Sequence, residues 1–118
     1  MNESKGILSA SDILNAEDLD TVDVEVEAWG GAIRLQALSA AEAIKFTDSL
    51  KGDGKKNANV RIVLLSAIDE DGNRLFDNKE LASLKEKNLR ILNEIATKAL
   101  VLNGLLNDED NEDNLKND

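Results

Sequence analysis

The stretch TVDVEVEAWGGAIRLQAL, residues 21–38, alternates apolar and polar side chains on both sides of a double glycine. That pattern constrains the fold more than any other in the chain. Val22, Val24 and Val26 fall on one face of an extended strand, with Asp23, Glu25 and Glu27 on the other. Gly30 and Gly31 supply the positive φ of a tight turn, and Ile33 and Leu35 then alternate with Arg34 and Gln36. The reading is an antiparallel hairpin with Arg34 across from Glu25 or Glu27. A lone hairpin is marginal in water, so its valine face must pack on helices.

Those helices are legible elsewhere. Aromatics are confined to Trp29, Phe46 and Phe76, which leaves Leu, Ile, Val and Ala to build the core. SAAE, residues 39–42, has the form of a capping box and opens a helix carrying Ile44, Phe46 or Thr47, and Leu50. KGDGKKN, residues 51–57, ends it as an exposed, mobile loop. NVRIVLLSAI, residues 59–68, is apolar nearly all round and reads as a central buried helix. A β-branched run this short also fits a strand. Asp77 and Glu80 repeat the capping pattern ahead of a short helix with Leu81 and Leu84. The last helix is the clearest: Leu89, Leu92, Ile95, Ala96, Ala99 and Leu100 recur at three- and four-residue spacing, with Asn88 as cap and Gly104 as stop. The expected fold is therefore α+β, a β-hairpin packed on about four helices. Residues 1–20 read as a flexible lead with a turn of helix around Ile13 and Leu14 capped by Ser11, 21–106 as a single domain, and 107–118 as a disordered tail. That tail holds six acids and one lysine, half of the formal charge of −10.

With no cysteine, histidine or tyrosine in 118 residues, disulfides, thiol nucleophiles, imidazole bases and zinc sites with their usual ligands are all removed. No clustered carboxylate or lysine pair stands apart from turns and helix faces, so the expectation is a protein that is not an enzyme and needs no cofactor. The net charge repels phosphate backbones and anionic lipid, which argues against nucleic acid and membrane as partners. The N-terminal residues MNESKGILSASDIL form neither a signal peptide nor a membrane span.

DEDGNRLFDNKE, residues 69–80, admits a sharper reading. Numbered as a calcium loop it offers Asp69, Asp71 and Asn73 at positions one, three and five, Asp77 at nine and Glu80 at twelve. Arg74 stands at position six, where an EF-hand needs glycine, and there is no second loop to pair with. The same letters spell a turn followed by a helix cap that tucks Leu75 and Phe76 into the core. Trp29, beside the double glycine, reads either as an interface anchor or as a lid folded onto the core.

The order of these pieces resembles the tail assembly chaperones of long, non-contractile-tailed bacteriophages and related prophages. The pieces are VEVEAWGGAIRLQALSAAEAIKF, an apolar helix, DEDGNRLFDNKELASL, and a helix ending in LNGL; together they span roughly residues 12–106. The resemblance implies a small α+β protein that binds the long, helical tape measure protein, keeps it soluble and helps recruit major tail protein. It also implies work in the cytoplasm of the bacterial host and absence from the mature virion. It carries no catalytic residues and assigns the 69–80 segment a structural part. An exposed apolar face would serve such a role, and the residues off the main stripe of the last helix are the candidates. Ile91, Val101, Leu102, Leu105 and Leu106 would join the hairpin and Trp29 as a groove for the partner or a surface for self-association, or else be buried within the monomer.

Overall fold

The computed structural model describes residues 6–106, and the acidic segment 107–118 lies outside them. Five α-helices and three strands alternate with 3₁₀ turns: α1 (Ala10–Asn15), β1 (Thr21–Val26), β2 (Gly31–Gln36), α2 (Ala40–Asp48), α3 (Ala58–Ser66), β3 (Ala67–Ile68), α4 (Leu81–Leu84) and α5 (Leu89–Leu102). The strands form one antiparallel sheet in the order β1-β2-β3. The fold is α+β, as the sequence patterning requires, with a third strand that the patterning does not announce.

Register explains the two faces of the sheet. Directly paired residues share a face, so Val22↔Leu35, Val24↔Ile33 and Leu35↔Ala67 place one apolar surface toward the helices. Asp23↔Arg34 and Glu25↔Ala32 lie on the outer face. The ion partner of Arg34 is therefore Asp23, rather than Glu25 or Glu27. The bond is bidentate, with Nε to Oδ1 at 2.7 Å and Nη2 to Oδ2 at 2.9 Å. The turn is also longer than the double glycine suggests. A 3₁₀ turn at Glu27–Trp29 comes first, and only Gly30, at φ 79°, takes the left-handed conformation.

The core draws on every helix and strand except α1. Leu35, Ile62 and Leu64 are fully buried, as are Leu92 and Ile95 within 2%; each such side chain contributes about 1.5–3 kcal/mol through burial. α3 packs against α5, α5 against β1, and α2 against α3, with Phe46 the buried residue of α2. The aromatic-poor composition thus yields an aliphatic core whose centre is the α3/α5 contact.

Local caps depart from the sequence expectation in instructive ways. Ser9, not Ser11, caps α1, closing a reciprocal box with Asp12. Ser39 accepts from the Glu42 amide at 3.2 Å and starts α2, but the Glu42 carboxylate does not return a bond to Ser39, so SAAE forms only the serine half of a capping box. The 59–68 run divides: α3 ends at Ser66, and Ala67 turns extended at ψ 132° to begin β3. Both readings of that run hold, each for part of it, because the β2 edge offers Ala67 and Ile68 a ladder. Residues 51–57 are not an open loop but a 3₁₀ turn at Gly52–Asn57, drawn close against Ser49. Ile44 and Leu89, expected on buried stripes, are exposed.

Candidate interaction surface

The hairpin tip and α4 meet at an apolar groove of about 270 Å³ lined by Trp29, Phe76, Glu80, Ser83, Leu84 and Lys87. Its walls are fixed by local hydrogen bonds. The Gly30 amide donates to the Glu27 carbonyl at 3.0 Å, setting the turn that presents Trp29. On the other side, the Asp77 carboxylate accepts from the Lys79 amide at 3.1 Å, while the Glu80 carboxylate accepts from the Asp77 amide at 2.9 Å. That capping box anchors the start of α4, whose Leu84 is buried at 6% exposure. Trp29 is 40% exposed, so it walls the groove rather than sealing the core. Phe76 is half-buried and packs against the core, whereas Leu75, expected beside it, is 46% exposed. Two of the three aromatics thus share one groove, a pairing across 47 positions that no local sequence signal announces.

The candidates on the last helix separate into two places. Ile91 is half-buried beside β1, in a second groove that also touches Glu27 and Ala28 of the Trp29 turn. Val101 and Leu102 lie in the last turn of α5, about 15 Å along the helix axis from Ile91. Leu102 packs on the core, Val101 and Leu106 are half-buried, and Leu105 is 42% exposed. The LNGL sequence closes this end. Gly104, at φ 71°, lets its amide reach the Val101 carbonyl and the Leu105 amide reach the Leu100 carbonyl, a Schellman motif. Asn103 spans further: its Nδ2 donates to the Ala99 carbonyl at 2.8 Å, and its Oδ1 accepts from the Leu38 amide at 2.6 Å, 65 positions away.

In the 69–80 segment three of the five candidate ligands, Asp69, Asp77 and Glu80, accept from backbone amides. Asp69 Oδ1 accepts from the amides of Asp71 and Asn73 at 2.9 and 3.0 Å. The Asp69 amide meets the Asn73 carbonyl, the Leu75 amide meets the Ala67 carbonyl, and Ile68 bridges Arg74, so the turn closes a small hairpin onto β3. Positive φ falls at Gly72, and no non-glycine residue has it among those described, Arg74 included. Asp77 and Glu80 are engaged in the α4 cap. Among the described residues, no three acidic side chains converge in an arrangement that would hold a metal ion.

The guanidinium hydrogen bonds of Arg34 hold the Asp23 carboxyl below the usual carboxylate range, and raise Arg34 in turn. Hydrogen bonds from the Ser9 backbone and side chain likewise lower Asp12.

The class of protein defined by this arrangement is a small α+β domain whose helices pack on one face of a three-stranded antiparallel sheet. Among solved structures, the bacteriophage HK97 tail assembly chaperone has a similar fold, with a TM-score of 0.59 and 18% identity over 71% of this chain and 85% of that one. No family model and no curated protein matches the sequence.

Proposed function

We propose that this protein is a phage tail assembly chaperone that binds the tape measure protein, keeps it soluble and helps recruit major tail protein during tail assembly. The observation that carries this reading is the fold held in common with the HK97 chaperone. The surface chemistry supports it. A chaperone for a long apolar helix must offer apolar side chains while keeping the complex dispersed, and this chain has exposed apolar residues on a body of formal charge −10. Val101 in the last turn of α5, with Leu105 and Leu106 after Gly104, forms the face assigned to the tape measure protein. Helix-in-groove contact needs only apolar anchors at helical spacing on the partner. The action is reversible binding, without covalent chemistry, in the cytoplasm of the host before the virion is complete.

Co-expression with a tape measure protein from the same genome tests this. The expected result is a recoverable complex and a larger soluble fraction of the tape measure protein. Unchanged solubility with no complex would refute the reading.

A further inference from the structure

The two edges of the sheet end differently. Beyond β3 the chain folds back, with Ile68 bridging Arg74 and the Leu75 amide reaching the Ala67 carbonyl, so that edge is closed. β1 pairs only with β2. The Ala37 amide donates to the Asp20 carbonyl at 2.8 Å, which fixes the alternation: Asp20, Val22, Val24 and Val26 turn their backbone groups toward β2. Thr21, Asp23 and Glu25 therefore point their amides and carbonyls outward, and among the described residues nothing bonds to those groups. A row of open donors and acceptors is a template for another strand.

Beside that edge runs a groove of about 250 Å³ between β1 and α5. Val24 and Ile91, both half-buried, and the buried Val26 and Ile95 make its apolar part. Its charged lining is Glu25, Glu27 and Glu94 against Arg90, three carboxylates to one guanidinium. On the outer face of the sheet Asp23 is matched by Arg34, but Glu25 faces Ala32 and has no cation opposite. A strand laid along β1 thus meets apolar side chains on its inner face and an unmatched carboxylate on its outer one.

The same charges reject the partners nearest to hand. The two antiparallel registers that keep apolar faces together and overlap most of β1 with a second β1 set Asp23 against Asp23 or against Glu25. Like charges directly opposite destabilise a ladder. Residues 107–118, with six acids and one lysine, are disfavoured for the same reason.

We propose that the β1 edge takes up an extended segment of another protein whose side chains alternate between Lys or Arg and aliphatic residues. Its backbone continues the ladder at Thr21, Asp23 and Glu25, its aliphatic side chains enter the groove against Ile91, and its cations face Glu25. The inference does not rest on the tape measure assignment, which concerns a helical partner at the other end of α5.

The probe is a synthetic peptide, Lys-Val-Lys-Val-Lys-Val-Lys, titrated into the full chain and followed by amide hydrogen exchange and calorimetry. The amides of Thr21, Asp23 and Glu25 should exchange fast in the free chain and become protected by about tenfold or more with peptide bound. Methylating alternate peptide amides should abolish binding in one set and spare it in the other, which separates strand pairing from plain charge attraction. Glu25→Lys should weaken binding by about tenfold or more and make a Glu-Val peptide of the same length the better ligand. Glu25 is exposed, so the fold should persist in that variant, as circular dichroism would verify. Absence of binding at millimolar peptide would overturn the proposal, as would binding indifferent to both methylation patterns. Protection of the three amides already present in the isolated chain would assign the edge to a segment of this chain or to a second copy, and would overturn it equally.

Discussion

Asn103 does with one side chain what two separate caps would otherwise do. Its amide closes the end of α5 on Ala99 while its carbonyl holds the Leu38 amide at the exit from β2. Asn103→Ala should destabilise the fold by about 1–3 kcal/mol, because the partly buried Leu38 amide is left without an acceptor. Urea unfolding would measure it. A second residue-scale constraint is Gly54. A Cβ there would stand 1.6 Å from the Ser49 carbonyl oxygen, a backbone atom that cannot swing aside. Gly54→Ala should therefore open the Gly52–Asn57 turn at a cost of about 1–3 kcal/mol, read as a lowered melting temperature. The sequence shows Gly54 only as one of two glycines in a polar run; its close approach depends on how α2 ends, which is a tertiary fact.

At the scale of elements, the hairpin and α5 were the most legible parts, because period two and period 3.6 are local properties of the chain. Val22, Val24, Ile33 and Leu35 fall where alternation puts them, and Asn88 caps where it should. Legibility fails where partners are distant. The 59–68 run reads as one buried helix until β2 supplies an edge for its last two residues, and Arg34 pairs with Asp23 rather than Glu25 or Glu27 because the turn is two residues longer than a simple glycine pair. Of the Trp29 groove the sequence shows only Trp29 beside the double glycine; Phe76 and Lys87 reach it only through the folded turn before α4. The Asp23–Arg34 pair gives this scale its prediction. Asp23 has a lowered carboxyl pKa in the folded protein, so its contribution is fully present above the ordinary carboxylate range and is lost as pH falls through the folded value. Asp23→Asn should thus reduce stability at neutral pH, and the difference from wild type should vanish in acid, as paired denaturation curves at the two pH values would reveal.

For the whole molecule, a strong negative field, an aliphatic core and uncovered apolar positions in the segment 6–20, the Trp29 groove and the α5 end belong together. On the proposed function, the charge would keep a complex dispersed while the apolar sites hold the partner. The 69–80 segment shows how the whole decides the part. Of the five ligand-type residues at calcium-loop spacing, Asp69 holds the turn that follows β3, while Asp77 and Glu80 cap the start of α4. On the proposed function this chain shields the tape measure protein by binding it, which light scattering can follow as denatured tape measure protein is diluted into buffer with increasing amounts of the purified chain. Scattering should fall progressively and a stable complex should be recoverable from the clear solution; scattering that is the same with and without the chain would rule the function out.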